Sequence, residues 1–388
     1  MDMTINRQKA TGGASGYLTI DLGALRENYL MLQAKAPQSV TSAVVKADAY
    51  GLGADMVAPV LYGAGCRHFF VAHIDEAISL RLRLAGDAAI FVLNGLQPGN
   101  EASCAAMNIT PVINSLEQLA QWAMHAKVLD KPLPAALQID TGMSRLGMAP
   151  QEIETLKTSP DLLDRIDITF IMSHLACADE PDHTANGAQL SVMRRAAEMF
   201  PNTPVCFANS GGIFLGADYH NAIMRPGIAL YGGAPSAVRP NPMTPVVRLD
   251  VAVVQTRSVP ADTLVGYGGS LRTKGETRLA TIAAGYADGL PRSLSNRGAA
   301  YFQGVRLPIA GRVSMDSISL DISALPEGTL RHGSLVQLIG PDQSLEDIAE
   351  DAGTIAYEIL TGLGQRYRRT YLQPGALAQT GDTTDADE

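Results

Sequence analysis

Short apolar runs alternate with amphipathic segments between about residues 42 and 230, and this alternation limits the possible folds more than any other feature. Most runs predict a strand followed by a helix with apolar residues three or four positions apart. The eight predicted strands lie at 42–50, 68–73, 89–94, 109–114, 136–140, 168–173, 205–209 and 223–230. Such alternation predicts a parallel sheet covered on both faces, and eight units favour a (β/α)8 barrel of the TIM type over an open sheet.

The pattern changes after about residue 240, where three prolines within 240–245 predict a linker. Strands predominate beyond it, separated by turns rich in Gly, Pro and Asp, and one helical interruption lies near 344–360. This pattern predicts a second, mostly β domain. The predicted boundaries are a flexible N-terminus at 1–16, a barrel domain at 17–240, a β domain at 241–373 and a disordered acidic tail at 374–388.

Composition excludes several classes of partner. The formal net charge of -9 argues against binding to nucleic acid or to anionic membranes. The four cysteines form no CxxC pair and no zinc signature, so we expect free thiols in a reducing compartment and no metal site. No signal-peptide pattern and no apolar run of about 20 residues is visible. We therefore expect a soluble, cytoplasmic protein.

A lysine, Lys46, falls inside the first apolar run and is followed by Tyr50 and a turn containing Gly51 and Gly53. Burying an ammonium group is costly unless its pKa falls or the amine reacts covalently. The arrangement suits a lysine that forms a Schiff base with pyridoxal phosphate. Taken alone, however, it is explained better by a structural lysine whose amine reaches solvent at a strand end.

The barrel prediction places functional residues at the C-terminal ends of the strands. Basic and hydroxyl-bearing side chains predominate there, which suits a ligand that carries phosphate and carboxylate groups. The candidates are Lys46, Tyr50, Arg145, His174, Asn209, Ser210, Arg225, Gly227 and Ile228.

These segments together resemble the alanine racemases, a family of pyridoxal phosphate enzymes of fold type III. The matching segments are 43–51 (AVVKADAYG), 140–147 (DTGMSRLG), 173–176 (SHLA), 209–210 (NS), 225–232 (RPGIALYG), 265–268 (VGYG), 284–289 (AGYADG) and 311–316 (GRVSMD). The resemblance implies an N-terminal barrel followed by a mostly β domain, with the strand near 17–21 packing in the β domain. It also implies a head-to-tail homodimer whose active sites each combine one barrel with the β domain of the other subunit.

The resemblance further assigns roles to individual residues. Lys46 would hold the cofactor covalently and act as one catalytic base, and Tyr267 of the other subunit would be the second base. Arg225 would donate a hydrogen bond to the pyridine nitrogen, with His174 as its neighbour. The remaining cofactor contacts would be Tyr50, Asn209, Ser210, Gly227, Ile228 and Tyr357. The substrate contacts would be Arg145, Tyr286 and Met315.

The arginine at position 225 distinguishes between the possible pyridoxal reactions. An arginine stays protonated because its pKa lies above about 12, so it leaves the pyridine nitrogen unprotonated. A neutral ring withdraws electrons weakly, which favours rapid reprotonation and therefore racemisation over transamination. A decarboxylase of this fold should carry a glutamate there. A racemase of broader specificity stays possible, and a non-catalytic pyridoxal phosphate-binding protein would lack the β domain that carries Tyr267.

Three positions depart from the family pattern. Gln138 stands where many members carry a lysine, often carbamylated, that orients the substrate-binding arginine, so we expect activity that added bicarbonate does not raise. Cys206 stands where a histidine often bonds to the pyridine-side arginine, which predicts a weaker network behind Arg225. Leu52 replaces a frequent histidine and is interpreted as a packing residue.

Overall fold

The computed structural model describes residues 13–238 and 240–374, so most of the predicted flexible N-terminus and almost all of the predicted acidic tail lie outside the described residues. The chain forms two compact units. One unit spans Leu22–Thr244, and the other combines the segment that ends at Asp21 with the chain from Pro245 onward. Among the described residues, no helix combines the length and apolar character that a membrane span requires.

Strand β1 (Gly16–Asp21) belongs to the second unit, and the first unit contains nine described strands in one parallel sheet. These nine are β2 (Val40–Thr41), β3 (Ala43–Val44), β4 (His68–Val71), β5 (Ala89–Val92), β6 (Ile109–Ile113), β7 (Leu133–Gln138), β8 (Ile166–Met172), β9 (Val205–Asn209) and β10 (Ile223–Arg225). The sheet runs from β2 through β10 and back in order to β3. Only Ser42 separates β2 from β3, and its N–H donates to Met224 O at 3.0 Å, so the two pieces act as one strand and the barrel closes.

Helices follow most of these strands and cover the barrel, apart from the short segment α2, whose backbone forms a left-handed turn. They are α1 (Leu22–Lys35), α2 (Lys46–Tyr50), α3 (Ala54–Gly63), α4 (Ile74–Arg81), α5 (Glu101–Ala106), α6 (Leu116–Val128), α7 (Pro150–Thr158), α8 (Thr184–Ala197) and α9 (Ala217–His220). The rings of Phe70, Phe91 and Phe170 lie 4.8–6.0 Å apart although β8 is not adjacent to β4 or β5, so they pack inside the barrel. The predicted (β/α)8 barrel is therefore confirmed.

The predicted strand at 42–50 is wrong in its second half. Pairing of β3 ends at Val44, and the chain then enters α2, in which Ala47, Asp48, Ala49 and Tyr50 have φ angles of 52–56°. The segment is thus a left-handed turn. This conformation costs roughly 1–2 kcal/mol for each residue with a Cβ atom. Nothing in the local sequence Ala-Asp-Ala-Tyr, which contains no glycine, predicts it, because the compensating contacts come from elsewhere in the chain.

The second unit is mostly β, as predicted. Its further elements are β11 (Val247–Val259), β12 (Leu264–Val265), β13 (Leu271–Arg272), β14 (Thr277–Ile282), β15 (Ala299–Phe302), β16 (Val305–Pro308), β17 (Ile318–Asp321), β18 (Leu335–Ile339), α10 (Leu345–Ala352), α11 (Ala356–Gly362) and β19 (Arg368–Leu372). Strand β1 pairs antiparallel with β11 and parallel with β19, and it buries Leu18 and Ile20. Helix α10 is capped at its start by Ser344, the residue before it, whose Oγ accepts the Asp347 N–H at 3.1 Å.

Candidate active site

Lys46 lies two residues after the end of β3, at the C-terminal end of the first barrel strand. The Val45 N–H still donates to Phe70 O at 2.9 Å, so the sheet holds the chain up to the residue before the lysine. Burial, and then the charge of Arg145, lowers the pKa of Lys46 below its usual value, and Arg225 acts in the same direction. A lysine in this setting loses its proton more readily than a surface lysine, as an amine that acts as nucleophile or base requires.

Arg225, the last residue of β10, is buried, and its positive charge contributes to the lowered pKa of Lys46. Its Nη1 donates to Cys206 O at 2.7 Å and to Cys206 Sγ at 3.0 Å, and its Nη2 donates to Ser173 O at 2.6 Å. No carboxylate pairs with it within residues 13–238 and 240–374. A buried cation held by neutral acceptors favours a ligand that carries negative charge.

Cys206 supports Arg225 through both its carbonyl and its thiol. The carbonyl contact comes from the backbone, which any residue at this position would offer. Only the thiol contact depends on the cysteine, and a thiol is a poorer acceptor than an imidazole nitrogen, so a weaker network behind Arg225 stays a prediction.

Four of the predicted cofactor contacts meet between the turn after β3 and the end of β10. The Ser210 Oγ accepts the Gly227 N–H at 2.9 Å and the Ala229 N–H at 3.3 Å. A Cβ atom added to Gly227 would lie 2.2 Å from the Tyr50 hydroxyl, so only glycine fits against this phenol. Ile228 follows at the start of a 3-10 helix (Ile228–Tyr231). A hydroxyl, a phenol and backbone N–H groups are the donors that bind a phosphate.

Asn209 stabilises the backbone next to these residues. Its Nδ2 donates to Leu175 O at 3.2 Å, and its Oδ1 accepts the Gly212 N–H at 2.9 Å. Both ends of the amide thus stabilise the turn that carries Ser210, and direct contact of Asn209 with a cofactor stays a prediction.

Arg145 is exposed in the loop after β7. Asp140 folds this loop, since its Oδ1 accepts the N–H groups of Gly142, Met143 and Ser144 at 2.9–3.1 Å. Gln138 is the buried last residue of β7, and no hydrogen bond joins its side chain to Arg145 among the described residues. Position 138 therefore lies beneath this loop without fixing the guanidinium.

His174 follows the end of β8, next to Ser173, whose carbonyl binds Arg225. Burial, and then the neighbouring charges of Arg225 and Arg145, lowers the pKa of His174 to about 3. The imidazole is thus neutral at physiological pH and adds no positive charge to the cluster. Within the described part of the chain, no group of His, Cys, Asp and Glu side chains is arranged to hold a metal ion.

The other predicted site residues lie in the β unit. Tyr267 begins a short 3-10 helix (Tyr267–Gly269) between β12 and β13 and is 71% exposed. Tyr286 and Met315 are neighbours, because the Ala287 N–H donates to Met315 O at 3.0 Å, and both side chains are exposed. Tyr357 lies on α11 and is also partly exposed.

Two groups of site-supporting residues were missed by sequence reasoning. Glu76 accepts the N–H of Ala47, next to Lys46. Arg366 binds the carboxylates of Asp288 and Asp316, which belong to the motifs that carry Tyr286 and Met315. An acidic residue three positions after His73 could have indicated a helix cap at Glu76, but no local signal predicts the contact with Ala47.

The residues at the barrel rim fit pyridoxal phosphate. A partly buried lysine with a lowered pKa can attach the aldehyde, and the group formed by Tyr50, Ser210 and Gly227 can bind the phosphate. Arg225, a buried cation that pairs with no carboxylate in the described part of the chain, can donate to the ring nitrogen.

Comparison with known proteins gives one consistent result. Residues 20–235 match the family model for the N-terminal domain of alanine racemase, and residues 246–371 match the model for its C-terminal domain. The catabolic alanine racemase of Agrobacterium fabrum is 75% identical over 384 residues, which cover 99% of each chain. The catabolic alanine racemase of Rhizobium johnstonii is 62% identical and covers 92% of this chain and 95% of its own.

Solved structures agree with the curated relatives. The crystal structure of alanine racemase from Bartonella henselae with covalently bound pyridoxal phosphate superimposes with a TM-score of 0.90 at 44% identity. The match covers 93% of this chain and 100% of the other. The alanine racemase from Streptomyces coelicolor matches with a TM-score of 0.86 at 33% identity, covering 92% and 98% of the two chains.

Proposed function

Since the chain belongs to the alanine racemase family, we propose that it interconverts L-alanine and D-alanine with pyridoxal phosphate as its cofactor. The observation that carries the proposal is Lys46, a partly buried lysine at the barrel rim beside a buried arginine that has no acidic partner among the described residues. That pair distinguishes a racemase from a decarboxylase of the same fold.

Racemisation needs one base on each face of the substrate Cα. Pyridoxal phosphate, when bound, supplies an electron-accepting ring that acidifies the Cα proton. Lys46 Nζ removes or returns the proton on one face, and its lowered pKa keeps part of the amine neutral at working pH. Tyr267 Oη does the same on the other face.

Other side chains bind and orient. Arg145 binds the substrate carboxylate together with Tyr286 and Met315. Tyr50, Ser210, Gly227, Ile228 and Tyr357 hold the cofactor phosphate, with Asn209 beside them. Arg225 donates to the ring nitrogen and stays protonated, so the nitrogen receives no proton. The neutral imidazole of His174 adds no charge that would disturb this arrangement.

A homodimer with shared active sites is part of the proposal. Tyr267, Tyr286 and Met315 are exposed by 71%, 44% and 51%, which is unusual for large side chains that belong to one site. Their exposure supports a second copy of the chain as the surface that covers them. We also place the enzyme in the cytoplasm, supported by four cysteines that are all free thiols.

The test begins with the purified protein and added pyridoxal phosphate. Borohydride reduction should fix the cofactor to the peptide that contains Lys46, and the protein should form D-alanine from L-alanine. A panel of other L-amino acids measures how strictly alanine is preferred.

The variant Lys46→Ala should abolish racemisation in both directions, because it removes both the covalent attachment and one base. We expect a loss of at least about 10⁴-fold in turnover. Chiral chromatography of the products measures it. Substantial D-alanine formation by this variant would contradict the assignment of Lys46.

A further inference from the structure

We propose that Glu76 is a positioning residue that holds Lys46 in place by fastening the left-handed turn after β3 to the end of β4. The inference rests on the proposed function, because it concerns the lysine that carries the cofactor. Neither the motifs nor the family resemblance gives Glu76 a role.

The carboxylate of Glu76 joins two neighbouring strand ends. Its Oε1 accepts the Ala47 N–H at 2.5 Å. Its Oε2 accepts the Ala72 N–H at 2.7 Å and the His73 N–H at 3.0 Å, directly after β4. One ionised side chain thus makes three hydrogen bonds, of the strong kind formed by a charged acceptor.

The turn needs such a restraint. Its internal bonds run from the N–H groups of Ala49, Gly51, Leu52 and Gly53 to earlier carbonyls of the same segment. Asp48 Oδ1 closes the far end by accepting the Ala54 N–H at 2.7 Å. At the near end the Ala47 N–H goes to Glu76, and Ala47 is exposed to solvent. Without the carboxylate, water would be the partner of this N–H in a backbone conformation that is strained for alanine.

The charge of Glu76 acts on Lys46 as well. Burial, Arg145 and Arg225 all disfavour the protonated lysine, and Glu76 alone among the charged groups that affect its pKa opposes them. Glu76 therefore lies close enough to influence the amine electrostatically. This agrees with the hydrogen bond that Glu76 accepts from Ala47, the residue directly after Lys46.

The simpler explanation is that Glu76 only caps α4. Glu152 provides a matched comparison, because it has the same role at the start of α7. Its Oε2 accepts the Ala149 N–H at 2.9 Å, and its Oε1 accepts the Leu116 N–H at 2.8 Å. The two glutamates thus share the cap and a bond to a second segment, but only Glu76 reaches the turn of Lys46.

The experiment compares Glu76→Gln with Glu152→Gln in the full-length protein. Each substitution keeps the size and shape of the side chain, so the fold is retained. It replaces one carboxylate oxygen by an amide nitrogen, which cannot accept a backbone N–H. Hydrogen exchange followed by mass spectrometry reports on residues 45–53 and 114–119, with and without pyridoxal phosphate. Loss of bound cofactor after dilution into cofactor-free buffer gives a second readout.

We expect Glu76→Gln to accelerate exchange in 45–53 by about tenfold and to release the cofactor faster by a similar factor. Glu152→Gln should accelerate exchange in 114–119 only and leave cofactor release unchanged. If the two variants behave alike at 45–53 and in cofactor release, Glu76 is a helix cap and the inference is overturned. Failure of the unaltered protein to bind pyridoxal phosphate would instead refute the proposed function, and the exchange data on 45–53 would still decide whether Glu76 holds the turn.

Discussion

At the scale of single residues, the properties that make Lys46 reactive also destabilise the cofactor-free protein. Its pKa is lowered below the usual lysine value of about 10.5, so folding disfavours the charged amine. Between the folded and unfolded pKa values, the unfolded chain binds more protons. Folding stability therefore rises with pH across that interval, and the penalty is fully present below it.

This rise of folding stability with pH predicts the behaviour of Lys46→Met, which keeps an unbranched side chain without the charge. We expect the cofactor-free variant to melt at a higher temperature than the unaltered protein at pH 7. The difference should shrink as the pH approaches 10.5. Thermal unfolding by circular dichroism across pH 6–10 measures it, and a gap that widens with pH would contradict the lowered pKa.

Tyr267→Phe removes the second base and keeps the ring. L-alanine and D-alanine have equal free energies, so kcat/KM must fall equally in both directions, by about 10²–10⁴-fold. Exchange of the substrate Cα proton in deuterium oxide distinguishes the two bases. The variant should still exchange the Cα proton of one enantiomer through Lys46, with retention of configuration, and should lose the exchange of the other enantiomer. Proton NMR measures the exchange. Equal exchange of the two enantiomers by the variant would contradict the assignment of Tyr267 as the second base.

At the scale of elements, Arg366 connects the two β-unit loops that carry predicted substrate contacts. Its Nε donates to Asp288 Oδ1 and its Nη2 donates to Asp288 Oδ2, both at 2.7 Å. Its Nη1 donates to Asp316 Oδ1 at 2.6 Å. Asp288 is buried, and its Oδ2 also accepts the Gly285 N–H at 2.9 Å. A planar guanidinium is required for such a fork of bonds.

Arg366→Gln should therefore lower both the melting temperature and kcat/KM, the latter by about tenfold, because Tyr286 and Met315 lose their relative position. Arg366→Lys keeps the charge but not the fork and should recover only part of each loss. The control is Arg83→Gln, which breaks an ion pair of 2.7 Å with Asp55 in which both side chains are more than half exposed. Calorimetry and steady-state kinetics should show little change for that control.

At the scale of the whole molecule, shared active sites predict complementation between inactive chains. A dimer of one Lys46→Ala chain and one Tyr267→Ala chain contains one intact site and one site that lacks both bases. Random mixing makes half of the dimers mixed, so about a quarter of the normal activity should return. The two variants are unfolded and refolded together, and each refolded alone is the control. If the mixture stays as inactive as its components, each chain holds its own complete site.

Much of this architecture follows from local patterns in the sequence. The period of apolar residues identified the barrel and the β unit, and the helical interruption expected near 344–360 corresponds to α10 and α11. These signals are readable because secondary structure and helix caps depend on residues a few positions apart. Lys46 itself was ambiguous by pattern, and the ordered motifs of the family resolved it.

Only the tertiary structure revealed how Lys46 is held. The left-handed turn is closed by bonds between near neighbours, but the contacts that hold it and Arg225 in place are not local. The contact of Glu76 with Ala47 joins residues 29 positions apart, and the two bonds from Arg225 to Cys206 join residues 19 positions apart. A sequence pattern reports what a segment favours by itself, and four successive residues with a Cβ atom do not favour a left-handed turn. The barrel brings the ends of β3, β4 and β10 together, and contacts between them offset the local strain. The chain thus determines its strands and helices locally, whereas the position of its reactive lysine depends on residues that meet only after folding.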